Sequence, residues 1–169
     1  MKFLKVTMAA IFLTVLFSCD KLDELTEVKV NATESVNINV AVLENETNFS
    51  KTETISVDDK DVQENLDRIE KVTVKKLTYQ FTNVTGNSDA TLSGSITFAG
   101  SSLDFVSVNP KTVENQVFTV TETAVVNAFA NAIKSGAQVT VVLAGTSDNA
   151  PVSATMVVTA EMEIVVDVI

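Results

Sequence analysis

The sequence predicts a mainly β protein: a single antiparallel β-sandwich of about seven strands with two short helices, set behind a distinct N-terminal segment. Three observations lead there. Apolar residues recur at every second position over several stretches, the period of strands with one buried face. Turn residues separate those stretches at roughly 8–12-residue intervals, as in sandwiches. Hydrophobic residues make up 46% of the 169 positions and charged residues 20%, a globular composition long enough for one ordinary domain.

The first element in order is not a strand. Met1–Lys5 carries Lys2 and Lys5, and Val6–Phe17 is apolar apart from Thr7 and Thr14. That run is too short for a membrane span of ~20 apolar residues. A basic start, a short apolar stretch and then a small residue is the layout of a secretory signal. The run ends in Leu16-Phe17-Ser18-Cys19, and Cys19 is the one cysteine of the chain. This resembles the lipobox of bacterial lipoproteins, with Leu16 three places and Ser18 one place ahead of the cysteine; Phe17 is larger than the residue usual between them. The resemblance implies cleavage after Ser18 and acylation of Cys19. Residues 1–18 are then a lipoprotein signal peptide, 19–26 a lipidated tether and 27–169 the β-sandwich domain. Acyl chains supply membrane affinity at roughly 0.8 kcal/mol per buried CH₂. Loss of Lys2 and Lys5 with the signal takes the net charge from −10 to −12. Asp20, Asp23 and Glu24 resemble the acidic export signal of Bacteroidota-type lipoproteins, which implies an outer-membrane location, facing the cell surface. The alternatives of a periplasm-facing domain, or of inner-membrane retention through Asp20 as in enteric-type lipoproteins, stay open.

The strands follow. Val28, Val30 and Ala32, then Val36, Ile38, Val40 and Val42, alternate with polar residues; Asn31–Ser35 is expected to loosen or break this run. Thr52–Val57 reads as a second strand. In Asp58–Ile69 the spacing of Val62, Leu66 and Ile69 changes to i, i+4, i+7 and acids crowd the start, which predicts a short amphipathic helix with an Asp near its N-cap. Lys71–Val84 alternates again, but Val72 and Val74 are even while Leu77, Tyr79 and Phe81 are odd, so a β-bulge is expected at Lys75-Lys76. Thr85-Gly86-Asn87-Ser88 is turn chemistry, which makes Ala90, Leu92, Gly94, Ile96 and Phe98 the hairpin partner of that strand. Gly100-Ser101-Ser102 is a further turn, Leu103–Val108 a short strand stopped by Asn109-Pro110, and Gln116–Thr121 a brief one. Glu122–Lys134 places Val125, Phe129, Ala132 and Ile133 on one helical face, with Thr121 to cap it and Gly136 to stop it. Gln138–Ala144 is a strand and Gly145–Pro151 a loop. From Val152 to Val168 every even position is apolar, the clearest amphipathic strand in the chain. A short helix leading into Val72–Phe81, and a late helix before two strands, resembles small Bacteroidota lipoproteins, which implies an immunoglobulin-like version of the sandwich.

The inventory excludes much chemistry. His and Trp are absent and Cys is single, so the chain holds no Ser-His-Asp triad, no Cys-His pair and no His- or multi-Cys-ligated zinc or haem. A net charge of −10 opposes nucleic-acid binding, which needs clustered Lys and Arg. No cofactor and no metal are implied. Asp58, Asp59, Asp61 and Glu64 offer carboxylates for a cation, but read first as helix N-terminal acids. Glu161 and Glu163 share a strand face, as a hydrolase pair would, but read first as a solvated face. Asn31, Asn45, Asn48 and Asn83 begin Asn-X-Ser/Thr triplets and read as coincidence in an Asn- and Thr-rich chain. Ser93 and Ser107 have no histidine partner. Arg68, the one arginine, reads as a surface ion pair with Asp67 or Glu64, and Tyr79 with the phenylalanines as core. A protein partner could dock on the Ala-rich helix 122–134, or on the last strand, ending Val165–Ile169, as an open edge.

The expectation is therefore a membrane-anchored, non-enzymatic lipoprotein: an interaction or structural module, an accessory subunit of an envelope assembly in its most specific form. The first alternative is a lipoprotein holding a small apolar or glycan ligand between sheet and helix. The second is a carboxylate-based hydrolase.

Overall fold

The computed structural model describes residues 26–168. Eight strands form two four-stranded antiparallel sheets. The first runs in the order β1 (Glu27–Val42), β8 (Val152–Asp167), β3 (Ile69–Gly86), β6 (Phe118–Thr119). The second runs β2 (Asn48–Ser56), β7 (Gln138–Asp148), β4 (Thr91–Phe98), β5 (Ser101–Val108). This is the mainly β sandwich the alternation predicts, the two-residue β6 making the eighth strand.

The strict even-position pattern of β8 explains its place. Val152, Ala154, Met156, Val158, Ala160, Met162, Ile164 and Val166 are all buried. On one side β8 pairs with β1 from Glu27↔Asp167 to Val42↔Val152, and on the other with β3. It is thus an interior strand, not an open edge: backbone pairing occupies both its sides, which closes the route to strand addition there.

β1 is continuous through Asn31–Ser35. Its even positions keep one phase throughout, with the partly buried Glu34 opposite Ala160 the one polar residue among them, and a polar side chain on either face leaves the backbone ladder intact. β3 changes register between Val74 and Lys76, where the phase slip places a bulge, and again between Ile69 and Lys71 and between Thr82 and Thr85. β3 and β4 are not a hairpin: β4 pairs with β5 and β7 in the other sheet. The turn between them packs on the β7–β8 turn, with the Asn87 N–H donating to the Pro151 carbonyl at 2.8 Å. A turn signal reports reversal of the chain, and a step across to the facing sheet uses the same residues.

Other boundaries shift. β2 begins at Asn48, β7 runs on to Asp148, and Ser101 and Ser102 lie in β5 rather than in a turn. The Asp58–Ile69 segment makes a short helix α1 (Lys60–Glu64) and a 3₁₀ turn, Leu66–Arg68, that leaves Leu66 exposed. The later helix, α2 (Thr123–Gly136), has Glu122 at its N-cap rather than Thr121. It stops on Ala137, left-handed at φ 52°, whose N–H returns to the Ile133 carbonyl, rather than on Gly136. α2 rests on β3, β4, β5 and β7. It buries Val125, Phe129 and Ile133, with Phe129 edge-on to Phe98 at 6.1 Å between ring centroids.

Candidate functional site

Ser18, Cys19, Asp20, Asp23 and Glu24, the expected cleavage, lipidation and sorting residues, lie outside the described residues. The point where their segment joins the domain is described. The Val168 N–H donates to the Thr26 carbonyl at 3.0 Å, so the two ends of the domain lie side by side. They occupy the end of β1 and β8 remote from the Leu43–Thr47 turn.

The outward face of the first sheet beside that junction is built by register. Val165 sits between Lys29 and Lys71, and is 8% exposed though it faces outward; the aliphatic stems of flanking lysines can cover such a residue. One step along, Glu163 lies between Asn31 and Thr73, then Glu161 between Thr33 and Lys76. Lys75, displaced by the bulge, reaches back across β8 to Asn31 Oδ1 at 2.6 Å and Glu163 Oε2 at 3.1 Å. Glu161 and Glu163 therefore stand on an open, mixed-charge sheet face, with Glu163 tied to a lysine. Their neighbours on β1 and β3 are Asn31, Thr73, Thr33 and Lys76, none of them a carboxylate.

The remaining candidates have structural employment. Asp59 caps α1, its Oδ1 accepting from the Asp61 N–H at 2.9 Å and the Val62 N–H at 3.3 Å. Among the described residues no group of three or more carboxylates, Cys or His is arranged to hold a metal. Ser93 and Ser107 do meet, but as a strand contact: the Ser107 N–H, at φ 51° where β5 bulges opposite β4, donates to Ser93 Oγ at 2.9 Å. Arg68 does not pair with Glu64, which instead meets Lys60 one turn earlier at 3.7 Å, nor with Asp67. Asn31, Asn45, Asn48 and Asn83 are exposed. Phe81, Phe98 and Phe129 are fully buried, and the half-buried Tyr79 stacks on Phe118 at 5.1 Å. Between α2 and the second sheet, Phe129 and Phe98 meet edge to face at 6.1 Å.

Among the described residues, three groups titrate away from their ordinary values. Burial, and then the charge of Asp58, raise the Glu34 carboxyl, while the Asp58 backbone N–H works the other way. Burial and Glu122 raise the Tyr79 hydroxyl. Glu114 is lowered, first by a hydrogen bond from Lys111 and then by one from the Val84 N–H. The Lys111 bond, at 2.7 Å, is internal to the segment after β5; the Val84 bond, at 3.0 Å, fastens that segment to the β3 bulge, where Val84 has left the ladder.

One arrangement has no counterpart in the sequence reading. β2 pairs only with β7 and leaves its other side open. Its inward positions are Phe49 and Ile55, both buried, with the exposed Lys51 and Glu53 between them. Charge at apolar-phase positions between Phe49 and Ile55 was the signal available, but a strand started at Thr52 hides it.

No family model matches the chain, and no curated protein matches it. Among solved structures, a chain of Desmodium yellow mottle tymovirus is similar at a TM-score of 0.31 and 11% identity, over 84% of each chain.

Proposed function

We propose that the protein is a membrane-anchored lipoprotein whose β-sandwich serves as a non-enzymatic interaction or structural module on the outer membrane, facing the cell surface. One observation carries the reading: the sole cysteine stands at the end of a signal-like apolar run, in Leu16-Phe17-Ser18-Cys19. Acyl chains on Cys19 hold the chain, and Asp20, Asp23 and Glu24 direct its export. The tether 19–26 reaches at most ~28 Å when fully extended. It joins the domain at Thr26, beside the other chain end, so the domain is held close to the lipid by that end. The residue inventory supports a binding or structural role: with no histidine and its one cysteine acylated, the chain lacks the usual general base and nucleophile pairs.

Acyl labelling combined with protease shaving of intact cells tests this, for wild type and Cys19→Ala. The expected result is a labelled wild type that is shaved from cells and a mutant without label. Absence of label from both overturns the lipoprotein reading; label with full protection from protease moves the domain to the periplasmic side.

A further inference from the structure

The open side of β2 has a self-complementary sequence. Lys51 and Glu53 make no ion pair with any described residue, and they flank Thr52 symmetrically. When the strand is laid antiparallel against its own copy with Thr52 opposite Thr52, Lys51 faces Glu53, Ser50 faces Thr54, Phe49 faces Ile55 and Asn48 faces Ser56. Each of these pairs then occurs twice, as a two-fold contact requires.

We propose that β2 is the docking edge for a second copy of this chain, joining two four-stranded sheets across a two-fold axis at Thr52. Directly opposed side chains in an antiparallel pair interact most strongly, and opposite charges there are favourable while like charges are not. The register is therefore specified. A slip of two residues in one direction sets Lys51 against Lys51; in the other it sets Glu53 against Glu53. A slip of one residue sets outward residues of the copy beside Phe49 and Ile55, so that the two cores fall on opposite faces of the joined sheet. Inward-facing charges on an edge strand normally repel any added strand. Here their opposite signs repel a foreign or shifted strand and accept the copy in one register, which is specificity by exclusion. The contact does not depend on the lipid anchor.

Disulfide trapping in the full chain tests it, on membranes and after detergent extraction. Residues directly opposed in an antiparallel pair have Cα atoms about 4.5–5.5 Å apart, within disulfide reach. Thr52→Cys is expected to give a covalent dimer on a non-reducing gel. Thr54→Cys, on the same strand and face, would lie about 14 Å from its symmetry mate and give several-fold less. The unaltered chain serves as the blank for Cys19. Adding Lys51→Glu to Thr52→Cys, which sets acids together on both sides of the axis, is expected to lower the yield several-fold; adding Glu53→Lys as well restores it. Because these positions are exposed, an unchanged far-ultraviolet circular dichroism spectrum shows that each variant is folded. Thr52→Cys cross-linking no better than Thr54→Cys, or indifference to Lys51→Glu, overturns the proposal.

Discussion

Gly94 and Gly145 oppose each other where β4 meets β7. A Cβ on Gly94 would run into the Ala144 carbonyl oxygen and stand 2.7 Å from Gly145 Cα. A Cβ on Gly145 would stand 2.8 Å from Gly94 Cα and 2.9 Å from the Phe49 ring. Most of these neighbours are backbone and cannot swing aside, so Gly94→Ala is expected to cost more than about 2 kcal/mol in urea unfolding. Gly136 is the contrast: it ends α2 with nothing within 4 Å of an added Cβ. Gly136→Ala is expected to stabilise by about 0.5–1 kcal/mol, because the unfolded chain loses freedom and the helix gains propensity. A glycine in the sequence does not announce which of these it is; the difference lies in what approaches from elsewhere in the chain. Glu34 gives a pH signature. Its carboxyl titrates above its ordinary value in the fold, through burial and then Asp58. The folded chain therefore holds that proton more tightly, and stability falls as pH rises from the ordinary value through the raised one. Glu34→Gln is expected to flatten that part of a stability–pH curve. Solvent screening limits its gain at pH 7 to about half a kcal/mol or less.

The elements differ in how plainly the sequence writes them. β8 is legible residue by residue, since all its even positions are apolar and all but the terminal Val168 lie in the buried strand. The bulge at Lys75 is legible too, because a change of parity between Val74 and Leu77 has no other cheap explanation. Pairing partners are not legible. β8 looks like an edge because it comes last, yet it lies between β1 and β3; burial of one face says nothing about which strands flank it. The end of α2 misleads for a local reason: Gly136 fits the usual stop, but the left-handed position falls on the fully buried Ala137. α2 itself holds by packing, with Phe129 wholly buried against Phe98. Phe129→Ala is expected to cost about 3–5 kcal/mol in denaturant unfolding, and circular dichroism should show whether helical signal is lost along with it.

For the molecule as a whole, every connection between successive described strands crosses from one sheet to the other except β4 to β5. A topology of that kind is settled by contacts far apart in sequence, which single-sequence periodicity does not contain. The proposed lipidation and sorting residues can be named without a fold because such a signal is a linear string. The β2 edge cannot, because its meaning depends on which side of the strand is left open. The strands of the first sheet also decide how the domain bears load. β1 and β8 are each 16 residues long, antiparallel, with their outer ends joined at Thr26 and Val168. Pulling those two ends apart opens the ladder one rung at a time, like a zipper. Pulling Thr26 against the β7–β8 turn at the far end instead loads all the rungs of the β1–β8 ladder together, in shear. A domain held by its first residues and tugged at its opposite tip is thus pulled along its strong axis.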